Sequence, residues 1–290
     1  MFNAAQGARH PQASAVAYLK TDNSFSMTGK LSPDAPDEAQ NPQTRYKYSP
    51  VHQDVAVCCV PNAGRIYPYY VKTMWLRSPG GLTAALFGPC VLETEINGVC
   101  VKITEETNYP FDLEMTFSIE AAQPAEFNLS FRKPAWAKGF TLEGAVDYRE
   151  ENGLISLRRI WQNGDCIRLS FEAEVKFNSF LDSETLISRG PLLFALPLEG
   201  EEQTGRQYPL AGFCDLRYLP TGDPGVDLQL AGKPTFSLER EAFSPEHPWQ
   251  VLSLTGSLFD CANQCMKPVR LIPLGGSVLR KATFSTTALP

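Results

Sequence analysis

Two adjacent cysteines, Cys58 and Cys59, are the residues of this sequence best suited to chemistry, and they stand in VAVCCVPNAGR at 55–65. Adjacent side chains diverge by roughly 100° on a helix and point to opposite faces of a strand. Regular structure would therefore not aim both thiols at one target. The pair is open to four interpretations: two small buried hydrophobic residues, a redox pair, a metal site or a nucleophile.

A turn at the pair would favour the chemical interpretations, and Pro61 gives a reason for one. Pro61 disfavours the α region for Val60 and suits the first position of a helix, where its missing N–H costs nothing. If a helix begins at Pro61, both thiols lie at its positive end. That end favours the thiolate, which is the form that binds metal or attacks carbon. Pro68 is expected to kink or end this helix.

Other candidate metal ligands and catalytic histidines are few. A structural zinc ion takes four ligands, and the cysteine pair offers two. His52 is close in sequence, but it suits a hydrogen-bonded core histidine equally well. Cys261 and Cys265 in CANQC would share one face of a helical turn, yet a lone CxxxC more often has a structural role. His10 and His247 precede prolines in loops, where we expect exposure rather than catalysis.

Carboxylates and tryptophans give weaker signals. Glu105, Glu106 and Asp112 flank predicted strands, and we expect them to be solvated. Trp136 and Trp161 could stack on sugars, but beside predicted strands they are expected to belong to the core. The sequence contains no GxSxG, P-loop or dinucleotide-binding motif.

Composition bounds the class of protein. The 290 residues suffice for two domains, and 26 Lys and Arg against 32 Asp and Glu give a formal charge of −6. Without a basic stripe, nucleic acid is not an expected partner. No apolar run approaches the length of a membrane span, and the first residues lack the basic and apolar regions of a secretory signal. We therefore expect a cytoplasmic protein whose 8 cysteines are mostly reduced thiols.

Hydrophobic periodicity changes along the chain. The aromatic stretch from Tyr67 to Trp75 has helical character, and we expect it to be buried against another element. After SPGG at 78–81 the period is two, and Asn97-Gly98 predicts a type I′ hairpin turn. Runs of alternating or continuous apolar residues follow: LEMTFSIE, FNLSF, CIRLSF, PLLFALPL, DLQLAG, QVLSL and VRLIPLG.

These patterns predict a mainly β fold, with an antiparallel β-sandwich preceded by a short α-helical or irregular segment. The predicted division places the α/irregular segment at 1–78 and the β-sandwich region at 79–290. Two packed sandwiches would be separated by a break near 180–190.

At the level of whole motifs the sequence resembles a known family. The stretches YSPVHQDVAVCCVPNAGR and YYVKTMWLR closely resemble the β-L-arabinofuranosidase family of glycoside hydrolases, glycoside hydrolase family 127. The double cysteine with PNxxR is the most specific element, and the resemblance covers nearly the whole chain. Further similar stretches are FNAAQGARHP, AYLKTDNSFSMTGK, LTAALFGPC, INGVCVKITEETNYPF, LSFRKPAWA, SRGPLLFALPLE and PLGGSVLRKATF.

The resemblance implies an (α/α)6-barrel catalytic domain followed by β-sandwich domains, and retaining hydrolysis of arabinose-containing glycans. Carried over by residue, Cys58 would be the nucleophile and a zinc ligand, Cys59 a second zinc ligand, and Tyr18 a sugar contact. In the family, a glutamate and another cysteine complete the zinc site. A carboxylate serves as general acid and base.

The departure from the family is large. Such a barrel needs far more helices than this chain supplies, and the remaining catalytic and zinc-binding residues lie upstream of the cysteine pair in the family. Residues 1–57 match none of them and contain no cysteine. The resemblance therefore implies the C-terminal portion of such an enzyme, with residues 1–78 as the edge of the barrel.

Two consequences follow for the isolated chain. We expect zinc to be absent or weakly bound, and we expect no turnover of glycosides. The alternative is a carbohydrate-binding or barrel-bracing β-sandwich module. Without a barrel, the aromatic surface from Tyr67 to Trp75 would be exposed, which predicts self-association unless a barrel domain covers it.

Overall fold

The structure is a computed structural model. It describes residues 23–25, 59–144, 147–180, 183–207, 214–223, 225–232, 234–244 and 248–287.

The described elements are one helix followed by strands, in two compact units. One unit is Ile66–Glu174; the other contains the described residues from Val175 onwards together with the described residues before Ile66. The helix is α1 (Cys59–Thr73). The strands of the first unit are β1 (Trp75–Ser78), β2 (Gly81–Ala84), β3 (Cys90–Ile96), β4 (Val99–Glu106), β5 (Glu114–Ala121), β6 (Ala125–Arg132), β7 (Gly139–Glu143), β8 (Arg149–Glu151), β9 (Leu154–Trp161) and β10 (Asp165–Glu172).

The second unit continues the strand series and adds two short 3₁₀ turns, Pro248–Gln250 and Leu274–Gly276. Its strands are β11 (Val175–Phe180), β12 (Glu184–Arg189), β13 (Leu192–Pro197), β14 (Gly200–Gln207), β15 (Cys214–Pro220), β16 (Leu228–Ala231), β17 (Phe236–Arg240), β18 (Leu252–Asp260), β19 (Cys265–Pro273), β20 (Arg280–Lys281) and β21 (Thr283–Thr287). The prediction of a mainly β fold after a short helix is confirmed. No helix in the described part of the chain has the length and apolar character needed to cross a bilayer.

Helix α1 differs from its prediction at both ends. It begins at Cys59 rather than Pro61, and it continues through Pro68 to Thr73, so Pro68 does not end it. The last turn is supported by the Thr73 hydroxyl, which donates to the Tyr69 carbonyl at 2.7 Å. Strand β1 begins at Trp75, just after the helix. The SPGG segment is the turn of the β1–β2 hairpin, in which Ser78 pairs with Gly81.

The first unit is a sandwich of two five-stranded sheets with the strand orders β1-β2-β6-β9-β8 and β3-β4-β5-β10-β7. All pairings are antiparallel except β2–β6, which is parallel. Both sheets contribute to one core, so the predicted antiparallel sandwich is confirmed. The predicted Asn97-Gly98 turn joins β3 to β4, with φ values of 52° and 79°.

The apolar faces predicted for β5, β6 and β10 lie in this core. Their side chains are all buried, each contributing about 1.5–3 kcal/mol of burial free energy. They are Met115, Phe117 and Ile119 on β5, Phe127, Leu129 and Phe131 on β6, and Ile167, Leu169 and Phe171 on β10.

The second unit contains a nine-stranded sheet and the β14–β15 hairpin. Six strands of the sheet form a closed circuit of pairings, in the order β12-β13-β19-β18-β16-β21 and back to β12. Ser24 forms an isolated bridge with Arg280 at the start of β20. The predicted division at residue 78 and the break near 180–190 stay predictions.

Candidate functional site

Most of the residues predicted to act in chemistry lie outside the described part of the chain. These are Cys58 and Tyr18, and the histidines His10, His52 and His247, of which only His52 was left open as a metal ligand, also lie there. Cys59 is described in its backbone alone, as the first residue of α1. The roles carried over from the family therefore stay predictions for Cys58, Cys59 and Tyr18.

The start of α1 gives the cysteine pair a chemical setting. The first N–H groups of a helix have no partner within it, and the macrodipole places positive charge at that end. Because Cys59 begins α1, its backbone lies where a thiolate is favoured over a thiol.

Metal binding by the described residues alone is not supported. No group of three or more His, Cys, Asp or Glu within these residues could hold a metal ion. Cys261 and Cys265 do not lie on a helical turn, because 261–264 is the turn of the β18–β19 hairpin and Cys265 pairs with Asp260. Asp260 Oδ1 caps this turn by accepting the backbone N–H of Ala262 and of Asn263, both at 3.0 Å.

Glu105 departs most from its prediction. We expected a solvated carboxylate, but Glu105 is 1% exposed, so that prediction is wrong. It follows Val101 and Ile103 on the core-facing side of β4, where side chains alternate between the two faces. Glu106 is exposed as expected, and Asp112 is half-buried, with Oδ1 accepting the N–H of Leu113 at 3.0 Å.

A chain of hydrogen bonds holds the Glu105 carboxyl group. The backbone N–H of Gly88 donates to Oε1 at 3.0 Å, and the Cys90 thiol donates to Oε2 at 3.6 Å. The Trp75 indole Nε1 in turn donates to Cys90 Sγ at 3.3 Å. We call Trp75, Gly88, Cys90 and Glu105 the acid–thiol cluster.

Burial sets the protonation state of this cluster. Burial raises the pKa of Glu105 to about 7, although the hydrogen bonds from Gly88 and Cys90 act to lower it. Burial also raises the pKa of the Cys90 thiol to about 11, against the hydrogen bond from Trp75. Cys90 is therefore a neutral thiol near pH 7, which suits packing and hydrogen bonding rather than nucleophilic attack.

Two tyrosines lie near the acid–thiol cluster. The Tyr70 hydroxyl donates to the Phe87 carbonyl at 2.7 Å, which ties the end of α1 to the loop before β3. Burial, and then the Glu105 carboxylate, raise the pKa of Tyr70. Burial raises the pKa of Tyr109 to about 12, and its ring packs against Phe87 with centroids 5.8 Å apart.

The two tryptophans considered for sugar stacking belong to the core, as expected. Trp161 is fully buried, and its indole N–H donates to the Phe127 carbonyl at 3.0 Å. Trp136 is half-buried and packs edge-on against Phe171, with ring centroids 5.7 Å apart. Trp161 therefore offers no ring face to a sugar.

Four large apolar side chains at the end of α1 and on β1 are exposed, and we call this set the α1–β1 face. Tyr67, Tyr69, Val71 and Leu76 are 52%, 65%, 65% and 47% exposed. The predicted burial of this aromatic stretch is therefore wrong for Tyr67 and Tyr69, whereas Trp75 packs against the core. The exposure agrees with the other expectation, that a chain without a barrel exposes this surface.

Comparisons with known proteins bear on the sandwich unit. Residues 81–173 match the family model described as the beta-L-arabinofuranosidase GH127 middle domain. This segment covers β2 to β10 of the sandwich unit. No curated protein sequence matches the chain.

Three solved structures share the fold. A GH127 β-L-arabinofuranosidase from Geobacillus stearothermophilus T6 is 23% identical, with a TM-score of 0.59 over 80% of this chain and 38% of that one. A GH127 β-arabinofuranosidase is 16% identical, with a TM-score of 0.62 over 85% of this chain and 42% of that one. A glycoside hydrolase is 16% identical, with a TM-score of 0.63 over 94% of this chain and 45% of that one.

The segment 81–173 is similar to a domain of glycoside hydrolases, and that domain is the middle domain of the GH127 β-L-arabinofuranosidases, so the resemblance read from the sequence is confirmed. The three solved structures show that the chain shares their fold. The chain spans less than half of the length of each of these solved structures.

The acid–thiol cluster was missed by sequence reasoning, although a signal for it exists. In VCVKITEE the period-two series Val99, Val101, Ile103 continues to Glu105, which places the carboxyl group on the apolar face. A carboxylate at a core position needs hydrogen-bond partners, and no sequence pattern identifies Gly88 and Cys90 as those partners.

Proposed function

We propose that these 290 residues form the C-terminal part of a retaining glycoside hydrolase that resembles β-L-arabinofuranosidases, and that they do not turn over glycosides alone. One observation carries this proposal. The CCVPN motif meets the start of α1, directly before a unit that matches a GH127 middle domain.

Cys58 is the nucleophile in this proposal. Its thiolate attacks the anomeric carbon, the sulfur–carbon bond forms, and the glycosidic oxygen leaves with a proton from a carboxylic acid supplied from outside this chain. Water then attacks the anomeric carbon of the thioglycosyl intermediate and gives its proton to the same carboxylate, while the sulfur–carbon bond breaks and releases the Cys58 thiolate. Tyr18 contacts the sugar.

Cys58 and Cys59 are the proposed zinc ligands. Thiolates suit zinc well, and zinc supplies stabilisation of the thiolate near neutral pH. The donor set fits only in part, because two thiolates fall short of four ligands. We therefore propose that zinc is absent from this chain or weakly bound to it, and that the remaining ligands come with a barrel domain.

The proposed partners are an (α/α)6 barrel domain and, for the intact enzyme, arabinose-containing glycans. The α1–β1 face supports the first partner, because it exposes four large apolar side chains that a docked domain would cover. The same face supports the second candidate function, a module that braces a barrel without catalysing a reaction. A glycan-binding role through Trp161 is not supported, because that side chain is buried.

A cytoplasmic location is also part of the proposal. The five cysteines whose side chains are described, Cys90, Cys100, Cys166, Cys261 and Cys265, are free thiols. Free thiols persist in the reducing cytosol.

Site-resolved alkylation tests the proposed chemistry of the cysteine pair. The purified chain is treated with iodoacetamide at pH 7, and each cysteine is quantified by mass spectrometry with and without added zinc. We expect Cys58 and Cys59 to react faster than exposed Cys265. We expect added zinc to slow the reaction of Cys58 and Cys59 and to leave that of Cys265 unchanged. Equal rates at all three positions, with no effect of zinc, would contradict the proposed nucleophile.

A further inference from the structure

A short N-terminal segment is docked on the C-terminal strands of the second unit. Ser24 and Arg280 exchange both backbone hydrogen bonds, with Ser24 N donating at 2.9 Å and Arg280 N donating at 2.8 Å. Lys281 Nζ lies 5.9 Å from the centroid of the Phe25 ring. The segment thus adds one rung of antiparallel strand to the start of β20.

The Asn23 side chain supplies the specificity of this contact. Its Oδ1 accepts the backbone N–H of Ala282 at 2.7 Å and of Thr283 at 3.0 Å. Its Nδ2 donates to Thr283 Oγ1 at 2.8 Å. Ala282 is the residue between β20 and β21, so Asn23 satisfies backbone donors at the break between these strands.

The surface beneath the segment is closed to water. Ser24, Ala282 and Thr283 are 5%, 2% and 1% exposed. Buried backbone donors without a partner are costly, so the residues at 280–283 need an occupant of matching chemistry. These residues match a side-chain carboxamide that both accepts and donates hydrogen bonds, followed by a residue whose backbone N–H and C=O groups are available for pairing.

We propose that residues 280–283 form a sequence-specific docking surface for an extended Asn-Ser-Phe tripeptide, which residues 23–25 of the same chain occupy. Main-chain bonds at Ser24 provide strand addition, and the Asn23 side chain provides the sequence selection, as in other peptide recognition by sheet edges. The surface recognises this tripeptide whether or not it is covalently attached.

Amide hydrogen exchange in the full chain tests this proposal. In Asn23→Ala, the amides of Ala282 and Thr283 should exchange about tenfold faster for each hydrogen bond lost. Asn23→Asp keeps an acceptor for both amides and should restore most of the protection. Unchanged exchange in Asn23→Ala would overturn the proposal. If Asn23→Ala does not fold, as judged by circular dichroism, the smaller change in Asn23→Asp takes its place as the test.

The chain offers a matched control. Asn178 begins a second Asn-Ser-Phe triplet at 178–180, and its side chain donates to Ser188 Oγ at 2.7 Å on an exposed surface. Asn178→Ala should leave exchange at Ala282 and Thr283 unchanged. An equal effect of both variants would show general loosening of the unit and overturn the assignment to Asn23.

A peptide added in trans separates sequence recognition from simple tethering. A synthetic peptide with the sequence of residues 20–28, KTDNSFSMT, should restore slow exchange at Ala282 and Thr283 of Asn23→Ala, and the same peptide with alanine for asparagine should not. Failure of the first peptide would overturn the recognition. Protection in the unaltered chain should be independent of protein concentration, and its loss on dilution would assign the site to a second copy instead.

Discussion

Glu105 and Cys90 lie opposite each other on neighbouring strands, and the Cys90 thiol donates to the buried Glu105 carboxyl group at 3.6 Å. The Gly88 N–H donates to the other carboxyl oxygen at 3.0 Å, so one acid joins β4 to both the start of β3 and the loop before it. The cluster makes the stability of the sandwich unit depend on pH.

Glu105 should make the chain less stable as the pH rises towards neutrality. Its pKa is raised from 4.5 to about 7, so the folded state favours the protonated form. The stabilisation of the folded state by the protonated Glu105 is fully present below pH 4.5 and is lost as the pH rises through about 7. The loss is on the order of 3 kcal/mol in the free energy of unfolding, measured by urea denaturation across this range.

Glu105→Gln supplies the comparison for this pH dependence. Glutamine has similar shape and no titration, so the two proteins should be about equally stable below pH 4.5, and the variant should become the more stable one, by up to about 3 kcal/mol, as the pH rises through about 7. Glu106→Gln, at the exposed neighbouring position, should show no such trend. A pH-independent difference for Glu105→Gln would show that this acid is not the source.

Cys90 should be the slowest of the described cysteines of the sandwich unit to react with thiol reagents. Burial raises its pKa to about 11, so little thiolate exists at pH 7.5. Exposed Cys100 and Cys166 should react faster by about two orders of magnitude. Labelling followed by mass spectrometry measures the rates, and equal labelling of Cys90 would mean that the acid–thiol cluster is open to solvent.

Gly81 should tolerate no side chain. A Cβ added there would lie 1.8 Å from the Asn128 carbonyl oxygen of the neighbouring parallel strand. Gly81→Ala must displace backbone, and we expect a loss of about 3 kcal/mol or more in the free energy of unfolding. Gly222→Ala, whose Cβ would meet only Glu199 Oε2 at 3.7 Å, is the control and should stay within about 0.5 kcal/mol.

The α1–β1 face should cause self-association of the isolated chain. Replacing Tyr69 and Val71, each 65% exposed, with serine removes its most exposed side chains. Size-exclusion chromatography with light scattering should show association in the unaltered chain and less of it in the double variant. Ile160→Ser, at a position 58% exposed on β9, should change nothing. A stable monomer before any substitution would contradict this prediction.

The strands were predictable because their physical signals are local. Alternation places Phe117 and Leu129 in the core, and Asn97-Gly98 has the left-handed backbone that a type I′ turn requires. Helix α1 passes through Pro68, although a proline in a helix interior removes one N–H donor and crowds the carbonyl four residues before it, so the sequence rule for helix ends fails at this position. The partners of Glu105 depend on tertiary contacts between β3, β4 and a loop, which no local pattern encodes.

The sequence motif resembles that of a family, whereas the residues of the site stay predictions. The CCVPN motif led to the family, which the match of residues 81–173 to a GH127 middle domain supports. Of the proposed site residues, the structure describes only the backbone of Cys59. The assembly of a complete site depends on ligands that two adjacent cysteines cannot supply themselves.

The most direct test of the central claim is one assay of the purified 290-residue chain with nitrophenyl β-L-arabinofuranoside, run beside a measurement of bound zinc. The chain should release no nitrophenol above the background of Cys58→Ser, and it should retain less than one zinc ion per molecule. Turnover that disappears in Cys58→Ser, together with a stoichiometric zinc ion, would contradict the account, because these residues would then form a complete site.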